Sequence, residues 1–164
     1  MKKIIAFVFA GILIAGGCIK DSHPAVTCSP VTATAPTSEV TLLKAFLDSS
    51  HITATGDSRG FFYTIDSSAA VSMAGHPTIC SDVSVTYTGT FLNGQAFDSS
   101  GANTPISLSL SSTVLGWQEA VPFMRSNAVM TLYLPPSLAY GAGGRGPIPP
   151  NANLIFTIKL LAYN

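Results

Sequence analysis

Residues 83–100 read VSVTYTGTFLNGQAFDSS, and this stretch decides the fold. Val83, Val85 and Tyr87 alternate with Ser84, Thr86 and Thr88. One face is apolar and the other carries hydroxyls, as in a half-buried strand. Asn93-Gly94 then interrupts the pattern. This dipeptide supplies two residues suited to positive φ and predicts a hairpin turn. QAFDSS runs back as the return strand, so an antiparallel sheet begins here.

The flanking sequence extends it. ISLSLS (106–111) alternates again, with Ile106, Leu108 and Leu110 on one face. VLGWQEAVPFM (114–124) predicts a single short helix, ended or distorted by Pro122. NAVMTLYLPP (127–136) is a strand entered through Asn127, a residue that tolerates left-handed backbone. NLIFTIKLLAY (153–163) alternates Leu154, Phe156, Ile158 and Leu160 against Ile155, Thr157, Lys159 and Leu161. Upstream, GFFYTID (60–66) reads as a strand and HPTICSD (76–82) as a connection. In SEVTLLKAFLDSS (38–50), Val40, Leu43 and Leu47 recur at helical spacing. Ser38 is placed to cap that helix, and Glu39 suits its positive end. The sum is α+β: an antiparallel five- to six-stranded sheet with one short helix on a face and a short N-terminal helix.

The N-terminus has a different character. MKKIIAFVFAGILIAGGC opens with Lys2 and Lys3, continues with the apolar run 4–15, and ends in small residues before Cys18. The run is too short to span a bilayer comfortably. Residues 1–17 therefore read as a secretory signal. Small residues directly before a cysteine resemble a bacterial lipobox, which implies cleavage before Cys18 and lipidation of it. The alternative is an ordinary secreted protein in which Cys18 is incidental. Residues 18–37, rich in Pro, Thr, Ser and Ala, read as the lipid anchor and a flexible tether. On this reading the chain is anchored to a membrane of the bacterial cell envelope and faces the periplasm or exterior. In an oxidising compartment Cys28 and Cys80 could be bridged or could remain two thiols.

Composition excludes several functions. Charged residues make up 10% of the chain and the formal net charge is +0, so no basic stripe invites nucleic acid. His23, His51 and His76 are scattered, and the cysteines lack metal-ligand spacing, so neither a metal nor a cofactor is expected. GAGGRG (141–146) looks like a phosphate loop, but it leads into PIPP rather than a helix. What remains is a group of residues beside turns: Tyr87, Phe97, Asp98, Val114, Leu115, Trp117, Tyr140, Ile148 and Phe156. Taken singly, each apolar one reads as ordinary core. Asp98 is harder to dismiss, because it follows Phe97 directly in a chain with only 8 acidic residues.

VTYTGTFLNGQAFDSS, VLGWQEAVPFM and LPPSLAYGAGGRGPIPPNANLIFTIKLL occur in that order. Together they resemble the FKBP-type peptidyl-prolyl cis-trans isomerases over residues 80–161. The resemblance implies an isomerase domain at 80–164, preceded by a helix and strand extension at 38–79. It implies a sheet curled around the short helix, with a ligand pocket between them. Trp117 would form the floor and Tyr87, Phe97 and Phe156 the walls. Ile106, Val114, Leu115, Tyr140 and Ile148 would complete the substrate site, and Asp98 would sit at the rim near Tyr87. Tyr140, Asp98 and Phe97 would carry the catalytic role. Proline-containing polypeptides would be the substrates, macrolide FKBP inhibitors would bind, and a monomer is expected. This sequence departs from the family pattern at Ile106, where an aromatic is usual, and at Thr113, where an aliphatic residue is common. The 99–105 loop is short and lacks a basic residue, and the loop after Tyr140 is one residue short. The second reading is an FKBP-fold peptide-binding or chaperone module with little isomerase activity.

Overall fold

The computed structural model describes residues 32–70 and 75–164. The signal sequence, Cys18 and Cys28 lie outside the described residues, and so does the lipidation. Cys80 is exposed at the entrance to the central strand; its pairing with Cys28 also falls outside.

The alternating run opening at Val83 forms β3 (Asp82–Phe91). The other strands are β1 (Thr55–Gly56), β2 (Phe62–Asp66), β4 (Ala96–Ser99), β5 (Ile106–Ser109), β6 (Val129–Leu134) and β7 (Leu154–Tyr163). They make one antiparallel sheet in the order β1-β2-β6-β7-β3-β4, with β5 also on β3. The outer edge of β3 is shared. Its first half, Asp82–Val85, pairs with β5, and its second half, Thr88–Thr90, pairs with β4. The sheet has one strand more than the five to six expected, the two-residue β1.

The hairpin after β3 differs from the expected turn. Gly94 has φ +83°, while Asn93 is not among the residues with positive φ. Gly94 N–H donates to the Phe91 carbonyl, and Phe91 N–H to that of Gln95, each at 2.9 Å. This is a tight turn closed by one left-handed glycine, with the Asn93 side chain accepting from Gln95 N–H at 3.0 Å. The left-handed entry to β6 is as expected, with Asn127 at φ +67°.

The short helix is α2 (Leu115–Ala120), followed by a 3₁₀ turn, Val121–Phe123, that contains Pro122. Six residues do not hold a helix in water. Packing holds this one: Trp117, Ala120 and Val121 are buried in the main core with Val85, Met130, Leu132, Ile158 and Leu160. In β7, Leu154, Phe156, Ile158 and Leu160 are all buried, as the alternation predicts.

The N-terminal helix, α1 (Thr37–Ser49), is started by Pro36 rather than capped by Ser38. Pro36 has φ −56°, and its carbonyl accepts from Glu39 N–H at 3.0 Å. Proline fixes the entry angle without needing a donor, which leaves Ser38 inside the first turn. Leu43 and Leu47 pack on Tyr133 of β6 in a second cluster. Two contacts tie this extension to the pocket-bearing elements. Glu39 Oε2 accepts from Ser137 N–H at 2.9 Å, and Ala33 N–H donates to Glu119 Oε1 of α2 at 2.9 Å. Burial pushes the Glu119 carboxyl upward, while the Ala33 bond and Arg59 act the other way. Ala33, inside the stretch read as tether, is thus hydrogen-bonded to α2.

Candidate functional site

The proline- and glycine-rich stretch 135–152 follows β6 and has a fixed path. A 3₁₀ turn (Pro136–Leu138) leads to Tyr140, and another (Gly141–Gly143) follows. Gly144 has φ +64°, and a side chain there would run into the Ile148 carbonyl. Arg145 and Ile148 exchange backbone hydrogen bonds at 2.9 Å in both directions. Asn151 N–H closes the loop onto the Gly141 carbonyl at 2.9 Å. Here the chain-breakers serve a braced loop, since proline fixes φ and glycine admits left-handed backbone.

This loop, α2 and the sheet enclose a cavity of about 550 Å³, within the range that holds small ligands. Trp117 and Phe156 are the deepest of the aromatics lining it, each 4% exposed. Tyr87 and Phe156 both meet the Trp117 ring edge to face, at 5.4 Å and 86° and at 5.5 Å and 89°. Val114, Leu115 and Tyr140 complete the expected part of the wall, with Asp98 at its polar side. The approach to α2 is held by side chains. Thr113 Oγ1 donates to the Leu110 carbonyl at 2.7 Å, and Gln118 Nε2 donates to the Thr113 carbonyl at 2.7 Å.

Not every expected residue reaches this wall. Phe97 stands one ring behind it, meeting Phe156 edge to face at 5.6 Å and 87°. Gly89 makes room for it: a Cβ at Gly89 would lie 2.5 Å from Phe97 Cζ. Ile106 packs against the core away from the lining, and Leu108, two residues along the same strand face, lines the cavity instead. Ile148 is buried in the main core, 6% exposed, while its backbone brackets Arg145. Ser112, Thr113, Ala139 and Arg145 line the cavity without having been expected to. Thr113 stood out in the sequence only as a departure from a pattern, and Arg145 gave no periodic signal.

The polar groups are few. Tyr87 Oη donates to Asp98 Oδ2 at 2.6 Å. Burial, and then the Asp98 carboxylate, push the Tyr87 hydroxyl well above its ordinary value, so it remains a donor. The Arg145 guanidinium lies 5.9 Å from the Tyr140 ring centroid, within cation–π range. No His, Cys or Lys is among the lining residues. None of the lining hydroxyls, on Ser112, Thr113, Tyr87 and Tyr140, has a His or Lys beside it in the lining to act as base, and the one acid there, Asp98, accepts from Tyr87. The cavity can bind an apolar ring and hold a carbonyl through a hydroxyl.

The family model described as FKBP-type peptidyl-prolyl cis-trans isomerase matches residues 74–161. The chain is similar to the peptidyl-prolyl cis-trans isomerase Mip of Coxiella burnetii, 43% identical over 88 residues, covering 52% of this chain and 38% of that one. It is similar to the FKBP-type isomerase FkpA of Buchnera aphidicola subsp. Schizaphis graminum, 41% identical over 81 residues, covering 49% of this chain and 32% of that one. The chain thus spans well under half the length of the curated relatives it matches. The crystal structure of FkpA from Escherichia coli superposes with a TM-score of 0.67 at 27% identity, over 78% of this chain and 60% of that one. A peptidyl-prolyl cis-trans isomerase from Pseudomonas syringae pv. tomato superposes with a TM-score of 0.64 at 27% identity, over 80% of this chain and 98% of that one.

Proposed function

The chain belongs to the FKBP-type peptidyl-prolyl cis-trans isomerases, and on that premise we propose that it accelerates rotation about X-Pro bonds in exported polypeptides. The observation that carries this reading is the aromatic cavity floored by Trp117, with tyrosine hydroxyls in its wall and no His, Cys or Lys in its lining.

The chemistry asks for little else. The X-Pro bond resists rotation by about 20 kcal/mol because resonance gives C–N double-bond character, and uncatalysed exchange takes roughly tens to hundreds of seconds. No bond breaks. In the twisted transition state resonance is lost and the carbonyl is less polar. A dry apolar site favours that state over the planar ground state, and this difference in binding is what accelerates the reaction. The proline ring sits on Trp117 between Tyr87 and Phe156. The Tyr140 hydroxyl holds the carbonyl of the residue before proline. The backbone of Val114 is available to the peptide. Asp98 holds Tyr87 in place and shapes the field at the rim, and Phe97 buttresses Phe156.

NMR exchange spectroscopy on an X-Pro peptide, with and without a macrolide FKBP inhibitor, tests the reading. Acceleration abolished by the inhibitor supports it. Peptide-dependent Trp117 fluorescence without acceleration would make this a binding or chaperone module instead.

The N-terminal sequence supports a location. Signal cleavage and lipidation of Cys18 would hold a monomeric domain on a membrane of the bacterial envelope, facing the periplasm or exterior, where exported chains fold. Incorporation of labelled fatty acid, lost in Cys18→Ala, is the expected result.

A further inference from the structure

The cavity mouth carries one charge of each sign. Asp98, on β4, is engaged by the Tyr87 hydroxyl at 2.6 Å. Arg145 comes from the loop between Tyr140 and β7, is exposed, and lines the same cavity. Among the described residues no carboxylate forms an ion pair with it. The paired cations are Lys44, with Asp48, and Arg59, with Asp57 and Glu119.

The loop places this charge rather than letting it wander. Gly144 and Gly146, at φ +64° and +54°, flank Arg145. The reciprocal hydrogen bonds with Ile148, each 2.9 Å, fix its backbone. Its head group lies against the Tyr140 ring at 5.9 Å. With charged residues making up 10% of the chain, few other charges compete with it.

We propose that Arg145 selects substrates with a carboxylate on the residue immediately before proline, so that Asp-Pro and Glu-Pro segments are preferred to Lys-Pro and Arg-Pro. This rests on the reading that Tyr140 holds the X-Pro carbonyl. The carbon of that carbonyl is bonded to the Cα of residue X. The X side chain therefore begins beside Tyr140, against whose ring the guanidinium lies. A planar guanidinium can take a carboxylate through two parallel hydrogen bonds and repels an ammonium or a second guanidinium. Asp98 would favour the opposite preference, but it is bonded to Tyr87, whereas Arg145 lies against Tyr140, where the X side chain begins.

The test is the affinity of the full-length chain, in detergent and at low salt, for Ala-Glu-Pro-Phe and Ala-Lys-Pro-Phe, followed by NMR titration. The Glu peptide is expected to bind roughly two- to fivefold more tightly, the scale of an exposed ion pair. Arg145→Lys keeps part of the preference, Arg145→Gln removes it and Arg145→Glu inverts it. Raising the salt to about 0.5 M compresses it. Equal affinities, a preference for Lys, a preference unmoved in Arg145→Gln, or no detectable binding of the Glu peptide would each overturn the proposal. Exchange rates measured on the same samples separate it from the isomerase reading. A charge preference without acceleration sinks only the catalysis, and acceleration without preference sinks only the role of Arg145.

Discussion

The Tyr87 hydroxyl donates to Asp98 Oδ2 across 2.6 Å, joining β3 to β4 at the cavity wall. Asp98 stands opposite Gly89, and Tyr87 lies two residues along the same face, so the pair are diagonal neighbours. Burial, and after it this carboxylate, raise the Tyr87 hydroxyl above its ordinary value. The native state therefore stays protonated at Tyr87 where an unfolded tyrosine, near pH 10, begins to ionise. The resulting stabilisation is full below about pH 10 and is lost as pH climbs from there toward the native value. Tyr87→Phe should flatten that part of the stability–pH curve. Asp98→Asn should lower the Tyr87 transition, read by tyrosinate absorbance, without restoring the ordinary value, because burial remains.

Tyr140→Phe removes the donor assigned to the substrate carbonyl. A single neutral hydrogen bond is worth about 0.5–1.5 kcal/mol, so kcat/KM should fall roughly two- to tenfold. Stability in urea should change by less than about 0.5 kcal/mol, because the ring that packs on the core is kept. Unchanged turnover would remove Tyr140 from the mechanism.

Leu108 lines the cavity and Ile106 does not. Leu108→Ala should weaken binding of an X-Pro peptide or macrolide severalfold, whereas Ile106→Ala should cost stability and leave affinity close to native. Calorimetric titration of both variants decides this, and the reverse order would return the site to Ile106.

Gly116 lies in α2 next to Trp117, and a Cβ there would run into the fully buried side chain of Leu134. Alanine improves helix propensity by up to about 1 kcal/mol over glycine. Overpacking a closed core costs about 1–3 kcal/mol. The second effect should win, so Gly116→Ala is expected to lower the urea midpoint.

The sequence was most informative where burial follows a period. In β7 one face is core from Leu154 to Leu160, and alternation named Leu154, Phe156, Ile158 and Leu160 correctly. The same alternation could not say how far along β5 the cavity reaches: the resemblance pointed to Ile106, and the cavity is lined by Leu108. Asn93-Gly94 fits more than one tight turn, and the pairing of β3 with β4 selects the form with one left-handed residue. Ser38 looked like a cap because caps are read from residue type, yet Pro36 sets the entry two residues earlier. Ile148 read either as core or as site, and Arg145 was legible least of all. Their positions depend on reciprocal backbone bonds inside a glycine-rich loop, and such bonds leave no trace in residue pattern.

The order of the sheet also bears on how the chain is made. β2 and β6 form one side of the sheet, β3, β4 and β5 form the other, and β7 alone lies between them. A growing chain that has produced everything before residue 154 holds two partial sheets with no strand to join them. Pairings between residues so distant in sequence form slowly. Burial of Trp117 beneath a closed core therefore waits for the last ten-residue strand to be delivered. If the chain is exported as its N-terminus suggests, its sheet stays unclosed, and the chain easier to thread through a membrane, until that strand arrives.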